Sequence, residues 1–398
     1  MLLQNHNCFR AGMAGVAWLA LAAVSPCLAQ AQGFQTIAPY AILMDADTRT
    51  ILFERAADEL VAPASTAKLL TAEIVFHEIA EGRLKLADEF TISENAWRKG
   101  GATAGGSSMF ALVNSRVSIE NLLQGLVVQS GNDAAIALAE GIAGSEGAFA
   151  TLMNRRASEL GMAKSTFANP WGKGDPAQKV TAREMVMLAD HIIRSYPELY
   201  KYFGEKEFTW NKIKQANRNP LLFMDIGADG LKTGNIDESG FGLVGSALQG
   251  GQRLILVVNG LKSAKDRAEE ARKILQWGFR SFEPKTLFNA GDIVGSARLF
   301  GGAQTEVDLL ADGPVKVLVP RGSSERLSAR IVYSGPIAAP IAQGASIARL
   351  LVQRGSVQAL DVPLKSATSV EVGTLPRRAY DAGLELATDL IRRNFGKK

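Results

Sequence analysis

The sequence predicts an α+β first domain, a small all-β second domain and a C-terminal amphipathic helix. Three observations carry that reading. Short strand-like runs stand at both ends of residues 32–284, with segments of helical period between them. From Lys285 to about Val372, short β-rich runs broken by Gly and Pro replace the helical pattern. From residue 375 to residue 398 a helical pattern returns, opened by Pro376 and carrying an apolar stripe and a surplus of cations.

The chain has 398 residues, 47% hydrophobic and 21% charged, which suits two globular domains. Residues 1–31 stand apart: Arg10 precedes an apolar run, Ala11 to Val24, and Ala29-Gln30-Ala31 follows. This pattern predicts a secretory signal peptide cut before Gln32, the run being shorter than the roughly 20 apolar residues a membrane span needs. Both cysteines, Cys8 and Cys27, fall inside it, so the mature chain has no disulfide and no thiolate metal site. The sequence carries no metal signal and calls for no cofactor. Cleavage removes Arg10 and no acid, taking the formal charge from +4 to +3. No basic cluster interleaved with aromatics is present, which argues against nucleic acid as a partner.

Within the first domain, Tyr40 to Asp45 and Thr50 to Arg55 flank Ala46-Asp47-Thr48-Arg49, a hairpin pattern. A helix begins at Lys68, directly after Pro63-Ala64-Ser65-Thr66-Ala67. Ile119 to Val128 and Asp133 to Ile142 are two apolar helical runs separated by Gln129-Ser130-Gly131-Asn132. A further helix spans Ser145 to Leu160, ended by Gly161, and Thr181-Ala182-Arg183-Glu184 is a capping box opening another through Ile193. A β-rich pair surrounds Trp210; then Gly230 to Gly234, Gly240 to Ala247 and Arg253 to Asn259 read as strands, with Gly250-Gly251 as a turn. Ala264 to Phe279 returns to helix.

Three short motifs carry the chemistry. Ser65-Thr66-Ala67-Lys68 places a hydroxyl and an amine on one face of a first helical turn. Ser130-Gly131-Asn132 lies 65 residues after Ser65, and Lys232-Thr233-Gly234 lies 102 residues after Ser130. An S-x-x-K, an S-D-N and a K-T-G together form the signature of class A β-lactamases and penicillin-binding proteins, and this chain matches it in order with Gly131 at the middle of the second motif. Ser93-Glu94-Asn95 also fits S-x-N, but it sits in a polar stretch without flanking helices, so the Ser130 motif is preferred.

Gln129 to Ala134, Asp229 to Gly234 and Arg272 to Phe279 extend the match, and the mature chain closely resembles the D-alanyl-D-alanine carboxypeptidases, the low-molecular-mass penicillin-binding proteins. The resemblance implies an antiparallel sheet flanked by helices, with the active site between sheet and helical cluster. It also implies a periplasmic enzyme acting on peptidoglycan stem peptide and acylated by β-lactams.

Acyl transfer through an enzyme ester needs an activated hydroxyl, a proton acceptor, a leaving-group donor and an oxyanion site. Ser65 is the candidate nucleophile. No His lies in any motif, so Lys68 is assigned as base, with Lys232 as a nearby second cation favouring its neutral form. Ser130 is placed to relay a proton to the departing D-alanine, and Asn132 to hydrogen-bond the substrate amide. Lys232 and Thr233 are expected to receive the terminal carboxylate, with Gly234 letting substrate backbone lie close. The resemblance implies an oxyanion hole from the N–H groups of Ser65 and Asn235, and Arg267 near the carboxylate end.

Two departures stand out. Relatives often carry His where this chain has Asn235, and a histidine-containing loop where it has Asn169-Pro170-Trp171-Gly172-Lys173-Gly174-Asp175. That loop offers no Glu like the deacylating base of class A β-lactamases, so slow release of bound penicillin is expected. In the last helix, Tyr380, Leu384, Ala387, Ile391 and Phe395 recur at helical spacing among Arg377, Arg378, Arg392, Arg393, Lys397 and Lys398. The pattern fits either a helix packed on its own β domain or an interfacial anchor on anionic lipid; the resemblance implies the anchor, on the outer face of the inner membrane. Three alternatives stay open at this stage: a D,D-endopeptidase, a β-lactamase of the same fold, and a non-catalytic scaffold that binds cell-wall peptide.

Overall fold

The computed structural model describes residues 34–322, 327–354 and 357–383. The proposed signal peptide lies outside the described residues, as does the C-terminal helix beyond residue 383. In chain order the first domain contains β1 (Tyr40–Asp45), β2 (Ile51–Arg55), α1 (Lys68–Ala80), β3 (Glu89–Thr91), α2 (Glu94–Gly100), β4 (Arg116–Ser118), α3 (Ile119–Val127), α4 (Asn132–Ala143), α5 (Glu146–Glu159), α6 (Ala182–Ser195), α7 (Pro197–Tyr200), β5 (Glu207–Trp210), β6 (Ile213–Ala216), β7 (Ala228–Ile236), β8 (Gly240–Gln249), β9 (Gln252–Leu261) and α8 (Ala264–Ser281).

Five strands form an antiparallel sheet in the order β2-β1-β9-β8-β7. The N-terminal hairpin therefore joins the three late strands, and β7, carrying Lys232-Thr233-Gly234, is left at the edge. The central strand β9 is apolar on both faces, as a strand covered on both sides is. Ile255 and Val257 of β9 enter one core with Leu69, Leu70, Ile74, Leu122, Leu126, Leu138 and Val186 from α1, α3, α4 and α6. The alternate residues Leu254, Leu256 and Val258 are equally buried, and α8 packs against β8 and β9.

Several helix starts follow directly from their first residues. Ser93, Ser118, Ser145, Thr181 and Ser263 each accept a hydrogen bond from the backbone N–H three residues on, a contribution of about 1 kcal/mol apiece. Gly161, in the left-handed region, ends α5 as its position predicts. One expectation is corrected: Ser93-Glu94-Asn95 is not a polar stretch without a flanking helix but the capped start of α2, and its polar atoms bind Glu140 and Glu146.

α8 ends at Ser281 and the chain passes straight into the β-rich part. There β10 (Phe282–Phe288), β11 (Ile293–Phe300), β12 (Glu306–Leu310), β13 (Val315–Pro320), β14 (Leu327–Val332), β15 (Ile337–Ala338), β16 (Ser346–Arg354) and β17 (Val357–Ser366) follow. Six strands pair in the order β14-β16-β17-β12-β11-β15, while β10 pairs with β13. Ala297, Leu309, Val317, Val352 and Leu364 form its core. Residues 375–383 are helical, and Asp381 accepts a hydrogen bond from the Gly301 N–H at 2.9 Å.

Candidate active site

Ser65 lies in a 3-10 turn, Ala64–Ala67, that runs into α1. Ala64 is held at φ 49, in the left-handed region that non-glycine residues rarely adopt. Ser130, in the loop between α3 and α4, is likewise at φ 68. Such backbone costs of order 1–3 kcal/mol per residue and persists only where its surroundings enforce it. Both motif serines are thus set by their neighbours rather than by local preference.

Lys68 is the hub of the site. The residue is 1% exposed; its Nζ lies within hydrogen-bond distance of Ser65 Oγ, at 3.0 Å, and donates to Asn132 Oδ1 at 2.7 Å and the Trp171 carbonyl at 2.5 Å. Burial pushes its pKa well below the usual lysine value; the charge of Lys232 pushes the same way, and Asp133 opposes. Lys232 thus contributes as expected, but desolvation is the larger cause.

Asp133 follows Asn132 and is fully buried. It accepts from Ser108 Oγ and from the N–H groups of Met109, Ala111 and Ala134. Its carboxylate ties the segment before α3 to the start of α4, fixing Asn132 beneath the cleft.

On the sheet side, Lys232 is 1% exposed and its Nζ donates to the Thr233 carbonyl at 3.1 Å. Its pKa is lowered to about 7, first by burial and then by the charges of Arg218 and Arg267. Gly234 also lies against the nucleophile turn. A Cβ there would lie 2.9 Å from the Pro63 carbonyl oxygen and 3.2 Å from the Ser65 nitrogen, so the glycine lets the nucleophile turn sit against β7. Asn235, next along the strand, is exposed.

Arg267, near the start of α8, is not a solvated helix charge. Its guanidinium lies 5.7 Å from the centre of the Phe241 ring, its Nε has no hydrogen-bond partner among the described residues, and desolvation lowers its pKa. It acts on Lys232 through its charge.

Ser65, Asn132 and Asn235 open on a cleft of about 550 Å³, also lined by Gly105, Gly106, Ser107, Trp171, Lys173 and Arg218. Sequence reasoning missed three contributors. The Trp171 carbonyl and Asp133 stood in stretches already singled out, without a signal for their contacts. Arg218, anchored by its N–H to the Val128 carbonyl at 3.2 Å, had no pattern to find it by. His191 is away from the cleft, bound to the buried Glu73–Arg156 pair.

A hydroxyl within reach of a buried, neutral-leaning amine, at the edge of an antiparallel sheet whose strand carries a second buried amine, is the arrangement of a serine acyl-transfer site. The profile of the D-alanyl-D-alanine carboxypeptidase family matches residues 27–263, and that of the penicillin-binding protein 5 C-terminal domain matches residues 282–372. The chain belongs to the D-alanyl-D-alanine carboxypeptidase family. It is 39% identical over 343 residues to the D-alanyl-D-alanine carboxypeptidase DacC of Escherichia coli strain K12, covering 85% of this chain and 86% of that protein. It is 38% identical over 315 residues to DacA of Haemophilus influenzae, covering 78% and 80%. The structure of penicillin binding protein 5 from Haemophilus influenzae superposes with a TM-score of 0.78 at 36% identity, over 85% of this chain and 98% of that one.

Proposed function

We propose that this chain is a serine-type carboxypeptidase that removes the terminal D-alanine from peptidoglycan stem pentapeptides, through an ester on Ser65. The observation that carries the reading is the 3.0 Å hydrogen bond between Ser65 Oγ and a buried Lys68 whose pKa is held far below its ordinary value. A neutral amine at that distance is a competent base.

In the proposed sequence, Ser65 Oγ attacks the carbonyl carbon of the penultimate D-alanine while Lys68 takes its proton. The N–H groups of Ser65 and Asn235 receive the oxyanion, an assignment supported by the close seating of the Ser65 turn against β7. The C–N bond breaks, and Ser130 passes a proton to the leaving nitrogen. Lys232 and Thr233, with Arg267 behind them, hold the terminal carboxylate. Asn132 positions the substrate amide while its Oδ1 holds Lys68. Water then cleaves the ester, returning the proton to the serine.

A β-lactam would follow the same first step, but its leaving nitrogen stays tethered to the acyl group. Among the described residues no Asp or Glu lines the cleft to activate water, which supports slow deacylation and inhibition. Release of free D-alanine from a pentapeptide by the purified protein tests the reading; rapid turnover of penicillin with no D-alanine release would replace it with a β-lactamase.

We further propose that the protein is exported to the periplasm and held on the inner membrane by its last helix. No helix among the described residues is long and apolar enough to cross a membrane. Support for surface attachment comes from the helix start, where Leu375 and Tyr380 are exposed while Asp381 fastens it to the β-rich part. Deleting residues 376–398 should move the protein to the soluble fraction with peptidase activity intact; unchanged fractionation would refute the anchor.

A further inference from the structure

Among the described residues, Lys173 and Arg218 are the two charged ones lining the cleft over Ser65, and no carboxylate lines it. The charge of Arg218 reaches Lys232, the residue proposed to take the terminal carboxylate. Lys173 stands elsewhere. Its loop reaches the other end of β7, where Lys179 forms an ion pair with Glu238 in the β7–β8 turn.

The position of Lys173 is fixed from both sides. Its N–H donates to Asn169 Oδ1 at 2.9 Å, and its carbonyl accepts from Asn169 Nδ2 and Gln178 Nε2, both at 3.0 Å. Its Nζ lies 5.9 Å from the centre of the Trp171 ring. Among the described residues it has no carboxylate partner. A cation on a rigid backbone, facing a cleft without acids, is suited to an anionic group brought in by the substrate.

A peptide extended along β7 with its terminal carboxylate at Lys232 and Thr233 advances about 3.3 Å per residue. The residue before the D-alanyl-D-alanine unit then falls beside Asn235 and Ile236, on the side of the Lys173 loop. We propose that Lys173 is a specificity residue that recognises a carboxylate on the stem-peptide residue preceding D-alanyl-D-alanine, so that acidic stem peptides are preferred. The inference rests on the carboxypeptidase reading above.

The test uses two peptides, acetyl-X-D-alanyl-D-alanine, in which X is lysine bearing either an Nε-succinyl group or the same group as its methyl ester. Free D-alanine is measured at low salt. The wild type should favour the succinyl peptide in kcat/KM by about threefold to fivefold, the size an exposed ion pair supplies. Salt at 0.5 M should compress that ratio. Lys173→Met should bring it to about one, and Lys173→Arg should keep it. Cleavage of both peptides at equal efficiency by the wild type, or a preference that survives Lys173→Met, overturns the inference alone. No D-alanine from either peptide overturns the carboxypeptidase reading and this inference with it.

Discussion

Substituting Gly172 by alanine should disable the base while leaving every motif side chain unchanged. Gly172 is at φ 85, and a Cβ on it would lie 1.9 Å from the Ala64 carbonyl oxygen and 2.8 Å from the Ser65 nitrogen. The left-handed conformation alone costs alanine about 1–2 kcal/mol. To reach even the 3.0 Å that marks the shortest real contact, loop and nucleophile turn must separate by about 1 Å. Lys68 holds the neighbouring Trp171 carbonyl at 2.5 Å on one side and Ser65 Oγ at 3.0 Å on the other. A shift of that size stretches one of these bonds to the limit of hydrogen bonding, and a 1 Å misplacement of a catalytic group costs on the order of 100-fold in rate. The assay is the second-order rate of labelling by a fluorescent penicillin, with circular dichroism to verify folding. Gly174→Ala is the control, since nothing lies within 4 Å of a Cβ there, and it should label within threefold of wild type. A folded Gly172→Ala protein that labels equally fast would refute the argument that this loop positions Lys68.

Other outcomes follow from the electrostatics and the buried network. Catalysis needs Lys68 neutral and, for carboxylate binding, Lys232 charged, so the alkaline limb of kcat/KM should fall near pH 7, where Lys232 titrates. Arg218→Gln removes a cation that disfavours charged Lys232 and should move that limb upward; a limb that stays or falls would contradict it. The same shift has a stability sign. Between about pH 7 and the ordinary lysine pKa of ~10.4, the unfolded chain binds the proton that folded Lys232 has lost, so stability rises with pH in that window. Wild type should therefore gain stability relative to Lys232→Met from pH 7 to 10 in denaturant titrations. Asp133→Ala leaves three buried N–H groups and a hydroxyl without their acceptor, and should cost about 3–5 kcal/mol in urea unfolding, more than Asp133→Asn.

What was legible in the sequence was local. The hairpin around Asp47, the helices on either side of Ser130, the Thr181 cap and the Gly161 stop are written within a few neighbouring residues, and they stand where expected. The sheet order was not readable, because β1 pairs with β9 across some two hundred residues and its pattern does not name a partner. α2 was missed since it is short and polar, with only Ala96 and Gly100 buried. At the site, the three motifs named the reactive side chains, while a backbone carbonyl such as that of Trp171 leaves no residue-type signal. Gly234 shows the same limit: its place in the motif was visible, but not that its missing side chain admits the Ser65 turn.

The central claim is that Ser65, activated by Lys68, forms the covalent intermediate. Intact-mass measurement after exposure to penicillin, on wild type and Ser65→Ala, tests it most directly. The account predicts a single adduct of the antibiotic's mass on the wild type and none on Ser65→Ala. An adduct on both proteins, or on neither, would contradict it.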